Sequence, residues 1–184
     1  MAWLLLILGV ALWAGAHFFK RMAPARRAAM GDKGKGLVAG ALAVSILLMI
    51  LGYRWTPFVT VWSPPAFLTH ANNLLVLIAF YLMSPAPKKG ALFYRMRHPQ
   101  LTGFGLWALA HLLVNGDLAS IVLFGGLWLW SLGSKVIINR AEPLWTPNPK
   151  GAIKWDLIGL AASVVLVGLI GWIHTLFGLV PFGG

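Results

Sequence analysis

Six long apolar runs are the feature that most constrains this chain. Each has about 17 or more residues, long enough for an α-helix to cross the hydrocarbon core of a bilayer. They cover residues 2–19, 36–53, 66–84, 99–115, 118–134 and 155–177, and the fourth is among the shortest. Only 10% of the 184 residues are charged, too few to cover a soluble globule. The sequence therefore predicts an all-α, polytopic membrane bundle with about six transmembrane helices.

The positions of the basic residues predict the orientation of this bundle. The net charge is +11, and every lysine and arginine except Arg54 lies in or beside one of three loops, after the first, third and fifth runs. Positive loops are retained on the cytoplasmic side, so we expect the three loops in the cytoplasm and both termini on the outer side of the membrane. Cations confined to such loops indicate contact with the bilayer surface, and they argue against a nucleic-acid partner.

The chain is interpreted as one membrane domain, residues 1–184. Residues 14–16, Ala-Gly-Ala, resemble a signal-peptide cleavage site, but no charged segment precedes the first run and a basic stop-transfer segment follows it. We therefore interpret this run as a transmembrane span. The Pro/Lys/Gly segment at residues 84–90 divides the chain into two halves, 1–84 and 90–184.

A hexapeptide, Leu-Trp-Ala-x-Ala-His, occurs once in each half, at residues 12–17 and 106–111. The first and fourth helices run in opposite directions, so the repeat is consistent with a 3+3 inverted repeat. The alternative is a chance match in a sequence rich in Leu, Ala and Trp. An unpaired imidazole in lipid costs several kcal/mol, so His17 and His111 are candidate functional residues.

A metal centre is the first hypothesis for these histidines. The chain has no cysteine, which excludes thiolate ligands and leaves histidine, methionine or carboxylate. On a helix, Trp13 shares a face with His17 and Trp107 shares a face with His111. Small residues and an indole on one face suit a flat macrocycle, although the same pattern also serves ordinary helix packing. The two histidines differ in depth by about 13 Å, so one haem between them would have to be tilted toward the membrane plane.

Of the three other histidines, two are rival ligands and one belongs to a basic segment. His70 and His174 fall in the same half of the membrane as His111 and could replace one ligand, or they could anchor the membrane interface. His98 precedes Pro99 at the start of the fourth run, beside Arg97. This basic collar could pair with anionic lipid, haem propionates or a substrate phosphate.

Residues 97–117 resemble the NnrU family of bacterial membrane proteins. The resemblance rests on Arg-His-Pro-Gln at 97–100, Gly103, the second hexapeptide and Asn-Gly-Asp at 115–117, together with Gly-Ala-His at 15–17. The family is associated with denitrification and nitric oxide metabolism. Its plant relative, 15-cis-zeta-carotene isomerase, is a haem b protein that isomerises a carotenoid double bond.

The resemblance implies haem b ligated by His17 and His111 in a bacterial inner membrane, with both termini periplasmic. The helix faces and the basic collar add further cofactor-binding candidates, which are Trp13, Trp107, Arg97 and His98. The resemblance also implies redox chemistry or cis-trans isomerisation of an apolar or gaseous substrate, with a respiratory-chain protein as a partner. The plant enzyme has a cysteine where this chain has Ala108, three residues before the second histidine. Ligand exchange at that position is therefore excluded here, which weakens the case for isomerase activity.

A second resemblance indicates another class. Arg97, His98 and Glu142 follow the pattern of isoprenylcysteine carboxyl methyltransferases, whose cofactor is S-adenosylmethionine. In such a site the Arg and His would contact the cofactor carboxylate and Glu142 its amino group. Leu101 and Pro143 replace a tyrosine and a glutamate of that pattern. A third hypothesis is a non-enzymatic accessory protein of a respiratory complex.

Overall fold

The computed structural model describes residues 1–182 and consists of packed helices. The helices are α1 (Ala2–Met22), α2 (Pro24–Ala29), α3 (Gly31–Trp55), α4 (Leu68–Met83), α5 (Ala86–Lys89), α6 (Pro99–Val114), α7 (Leu118–Ala141) and α8 (Ile153–Leu176). Within residues 1–182 the only β pairing is an isolated bridge between Thr60 and Asp117. Each predicted apolar run is a helix, which confirms the predicted all-α membrane bundle.

The helices differ in the length available for crossing a bilayer. By length and composition, α1, α3, α7 and α8 can each span a membrane. Helices α4 and α6 have 16 residues each, about 24 Å against a hydrocarbon core of about 30 Å. The chain beyond these short helices folds onto protein: the N–H groups of Val61 and Trp62 both donate to the carbonyl of Gly116. Irregular backbone is tolerated at membrane depth when protein satisfies it in this way.

Two close helix pairs form the bundle, α1 with α3 and α4 with α6, and α7 packs against both pairs while α8 packs on α4. Glycines allow the backbones to approach. A Cβ atom added at Gly52 would lie 2.4 Å from the backbone nitrogen of Leu6, and one at Gly103 would lie 2.6 Å from the carbonyl oxygen of Ala79. Close backbone packing of this kind replaces the hydrophobic driving force that is missing between helices in lipid.

The three basic loops meet at one end of the bundle, which we call the basic end. Arg21 in the last turn of α1 pairs with Glu142, directly after α7, at 2.5 Å. The N–H of Gly151 donates to the carbonyl of Gly90 at 2.9 Å. We call the other end, where residues 59–62 contact residues 116–118, the opposite end. The side of the membrane that each end faces, and the 3+3 repeat, stay predictions.

A buried carboxylate that the sequence analysis did not single out holds the basic end together. Asp156 is 3% exposed, and it accepts hydrogen bonds from the Tyr81 hydroxyl and from the N–H of Ala91, the latter at 2.6 Å. A buried carboxylate is retained only when such donors satisfy it. Asp156 therefore ties α8 to α4 and to the loop after α5.

Candidate functional site

One cavity of the described bundle, which we call the larger cavity, lies toward the opposite end and has a volume of about 700 Å³. This volume is within the range of small-molecule and cofactor sites. Its wall is mainly apolar and aromatic, and residues 179–182, after α8, form one side of it. The polar side chains in the wall are Tyr53, Thr69, Asn72, Asn73, His111, Asn115 and His174.

Two histidines share this cavity, His111 from α6 and His174 from α8. In each ring Nδ1 bonds to the carbonyl four residues earlier, that of Trp107 at 2.9 Å and that of Ile170 at 2.7 Å. A neutral ring that donates from Nδ1 keeps its lone pair on Nε2. Among residues 1–182, none hydrogen-bonds to either Nε2. Metal-binding histidines commonly have this arrangement, because a backbone carbonyl fixes the tautomer and the orientation of the ring.

A hydrogen-bonded chain of three residues borders the same cavity. The Tyr53 hydroxyl lies 2.8 Å from Oγ of Ser120, which donates to Oδ2 of Asp117 at 2.6 Å. Oδ1 of Asp117 accepts from the N–H of Ser120, so Asp117 caps the start of α7. From the sequence, Asp117 was identified only as part of the Asn-Gly-Asp segment that resembles the family. This cap could have been predicted from the order Asp-Leu-Ala-Ser, which places a carboxylate three residues before a serine at the start of a helix.

A π-helical turn follows this cap, over Ile121–Gly125 within α7. It carries Phe124, whose ring stacks on that of His111 with centroids 4.6 Å apart. π turns inside α-helices occur often at functional sites. Here the wider turn lies beside both Ser120 and His111, so one irregularity of α7 shapes the wall of the larger cavity.

His17 lines a different cavity, of about 390 Å³, between α1, α6 and α7. Its Nδ1 bonds to the carbonyl of Trp13 at 2.9 Å, so its local geometry matches that of His111. Its ring also packs against Trp130, with centroids 4.6 Å apart. The polar residues in this wall are Arg21, Gln100 and Ser134, and the cavity extends toward the basic end.

Phe104 separates the two histidines of the repeated hexapeptide, because its ring lines both cavities. The ring of Trp13 stacks on that of Phe104 with centroids 5.9 Å apart, and the ring of Trp107 packs against Phe104 at 5.4 Å. The path from His17 to His111 thus runs through three aromatic rings. The structure brings each histidine together with its predicted tryptophan, and it does not bring the two histidines into one cavity.

The remaining predicted residues lie outside both cavities. His98 Nε2 is 2.7 Å from Oδ1 of Asn139, and the Arg97 guanidinium donates to the backbone carbonyl of Glu142. The Arg21 guanidinium beside Glu142 lowers the pKa of that carboxyl. The groups proposed to hold S-adenosylmethionine therefore bond to neighbouring protein atoms. His70 is exposed.

Apolar helices around two internal cavities define a polytopic membrane protein with candidate ligand sites. The chain belongs to the NnrU family: the family model described as "NnrU protein" matches residues 5–181. This match confirms the family predicted from residues 15–17 and 97–117. Searches of curated proteins and of solved structures found no match.

Proposed function

We propose that this NnrU-family protein binds haem b in the larger cavity, with Nε2 of His111 and Nε2 of His174 as the protein ligands. The observation that carries the proposal is that two imidazoles, each with Nδ1 held by a backbone carbonyl, line one cavity of about 700 Å³. Paired imidazoles suit haem iron. Within residues 1–182 there is no group of three or more His, Cys, Asp or Glu side chains placed to hold a metal ion. Two histidines therefore fit a haem better than a metal ion bound by protein alone.

The rest of the wall fits a large apolar plane with polar groups at its edge. Phe104, Trp107 and Phe124 offer aromatic surfaces, and Asn73 and Asn115 offer amides. Within residues 1–182 no lysine or arginine lines this cavity. Haem carboxylates would accordingly be held by neutral donors.

This assignment differs from the ligand pair predicted from the hexapeptide. It keeps His111 and Trp107 and replaces His17 with His174, because His174 lines the same cavity as His111 and His17 lines another. His174 had been interpreted as a rival ligand or an interface anchor. Ala108 offers no thiolate ligand, so a redox role is favoured over isomerisation by ligand exchange.

When bound, haem would supply one-electron chemistry, and a small gas could bind only where one of the two imidazoles is released. The chain contributes orientation and water exclusion. The carbonyl of Trp107 and the ring of Phe124 hold the His111 imidazole in place. The apolar wall would admit an apolar or gaseous substrate such as nitric oxide. We further propose a role in denitrification or nitric oxide metabolism at the bacterial inner membrane, with the basic end in the cytoplasm, both termini periplasmic and a respiratory-chain protein supplying electrons.

A visible spectrum of the purified full-length protein, before and after haem reconstitution, tests this proposal. We expect a Soret band that is lost or shifted in His111→Ala and in His174→Ala and retained in His17→Ala. The matched control is His70→Ala, which removes an exposed imidazole. Loss of the band in His17→Ala with retention in His174→Ala would restore the pair predicted from the sequence. A protein that takes up no haem but binds S-adenosylmethionine would overturn the proposal in favour of a methyltransferase-like site.

A further inference from the structure

The smaller cavity, which the proposed haem site does not use, contains polar groups that no described residue satisfies. Ser134 lines it and is only 6% exposed, yet its hydroxyl bonds to no other residue in 1–182. Nε2 of the half-buried His17 and the exposed side-chain amide of Gln100 also line this cavity, and neither bonds to another residue in 1–182. These three polar groups are therefore available to bond the polar end of a ligand.

The remainder of this cavity is apolar. Leu101 on α6 and Ile137 and Ile138 on α7 lie around it, and the indoles of Trp13 and Trp130 form its inner wall. The two indoles pack edge to face, with centroids 5.4 Å apart. Such a wall favours a hydrocarbon chain or ring over a fully polar molecule.

Positive charge lies at the end of the cavity nearest the basic end. Arg21 lines the cavity, and Lys20 and Arg97 lie close enough to Glu142 to act on its ionisation. One exposed carboxylate, that of Glu142, therefore lies among three cations. A local excess of positive charge at a membrane-facing basic end attracts anionic groups.

We propose that the smaller cavity is a second ligand site, for an amphiphile with an anionic head group. The carboxylate or phosphate of the head group lies at Arg21, Ser134 and Gln100 provide neutral hydrogen bonds, and the apolar chain packs between the indoles and α7. A free fatty acid and an anionic phospholipid share this chemistry. The proposal does not depend on haem in the larger cavity.

Tryptophan quenching by brominated amphiphiles tests the site, because bromine quenches an indole only on contact and Trp130 forms the wall. The delipidated full-length protein is titrated in neutral detergent with dibromostearate, with brominated phosphatidylglycerol and with brominated phosphatidylcholine. We expect saturable quenching by at least one of the two anionic probes, and the stronger of them identifies the source. The Trp130→Phe variant should lose most of the quenched signal.

Two substitutions of the ion pair give opposite expected shifts. Arg21→Gln removes the cation and should weaken binding about tenfold, the equivalent of one charge-assisted hydrogen bond. Glu142→Gln removes the competing carboxylate and should tighten binding. Both variants lose the same ion pair, so a purely structural effect would move them in the same direction. The charge-matched control is Lys33→Gln, which removes an exposed cation of the first basic segment and should leave binding unchanged.

Ser134→Leu fills the cavity and should abolish saturable quenching while the helical content is retained. The proposal would be overturned if brominated phosphatidylcholine quenched as strongly as the anionic probes. It would also be overturned if Arg21→Gln and Glu142→Gln changed the binding affinity in the same direction. A Soret band that depends on His17 would overturn it too, since haem would then occupy this cavity. Failure of the haem proposal alone would appear as unchanged spectra in His111→Ala and His174→Ala with quenching of Trp130 intact.

Discussion

The two copies of the hexapeptide have the same local geometry and different surroundings. His17 and His111 each bond through Nδ1 to a tryptophan carbonyl at 2.9 Å, and each ring packs on that tryptophan, with centroids 4.4 and 4.8 Å apart. Beyond the helix they diverge, because Trp130 is the further partner of His17 and Phe124 that of His111. Local sequence thus decides which nitrogen is left free, and the neighbouring helices decide what that nitrogen can bind.

The two cavities differ in the same way. The larger one has a second histidine, amides and the Tyr53–Ser120–Asp117 chain around it. The smaller one has Arg21 and an unsatisfied serine. The ligands that we propose differ accordingly, haem in one cavity and an anionic amphiphile in the other, although the same six-residue pattern contributes to both walls.

Removing the ring between the cavities should have the largest effect. Phe104→Ala is expected to lower the free energy of unfolding by about 3 kcal/mol, the low end for loss of a phenyl ring, because part of the ring already borders the two cavities. It should also join the cavities, so that dibromostearate quenches Trp107 as well as Trp130. Phe104→Leu, which keeps most of the volume, is the control. Unchanged quenching of Trp107 in Phe104→Ala would show that another group separates the cavities.

The second-largest effect is expected from loss of the N-terminal cap of α7, beside the larger cavity. Asp117→Ala removes the acceptor of the Ser120 N–H and hydroxyl, at an expected cost of about 2 kcal/mol. Asp117→Asn keeps one acceptor oxygen and should cost less. Thermal unfolding in detergent measures both, and equal losses in the two variants would contradict the capping role.

Tyr53→Phe tests the separation of the two cavities with a smaller loss of stability. The variant loses one hydrogen bond to Ser120, worth about 1 kcal/mol, and removes a hydroxyl from the larger cavity only. We expect an altered haem spectrum with Trp130 quenching unchanged. Thr56→Val, a nearby substitution that removes a hydroxyl bonded to the carbonyl of Tyr53, is the control. An effect of Tyr53→Phe on the smaller cavity would contradict the separation of the two sites.

The smallest effect concerns pH at the basic end. Arg21 lowers the pKa of Glu142 in the folded protein, so the resulting stabilisation is present above the ordinary carboxyl pKa and is lost as the pH falls through the lowered value. The pair is solvent-exposed, so the change in unfolding temperature should be small and weakened by salt. The difference between wild type and Glu142→Gln, followed from about pH 6 to about pH 3, isolates this group. A difference that does not change over this range would contradict it.

Part of this arrangement could be predicted from residue patterns. The apolar runs predicted every long helix, and Pro99 marked the start of α6 correctly, because a proline at the first helical turn loses no hydrogen bond. α7 continues past the predicted end at residue 134 to Ala141, since Lys135 and Arg140 are compatible with the last turns of a helix. The run at 99–115 forms a helix, α6, of the same length as α4, against which it packs: each has 16 residues.

The candidate site was predicted less completely. Each predicted tryptophan contacts its histidine, because residues four apart on a helix lie on one face. His174 was not predicted as the partner of His111. Tyr53, Ser120 and Ser134 were not identified as cavity residues from the sequence. These residues approach one another only through contacts between helices, which no periodicity along one helix reports.

The amino-acid sequence by itself determined the class of protein, its helices, its family and the nitrogen that each hexapeptide histidine leaves free, because hydropathy and i to i+4 geometry are local properties. Only the tertiary structure decided that Phe104 separates His17 from His111 and that His174 joins His111. Those relations depend on which helix faces pack together, and in lipid that choice is made by close contacts such as those at Gly52 and Gly103.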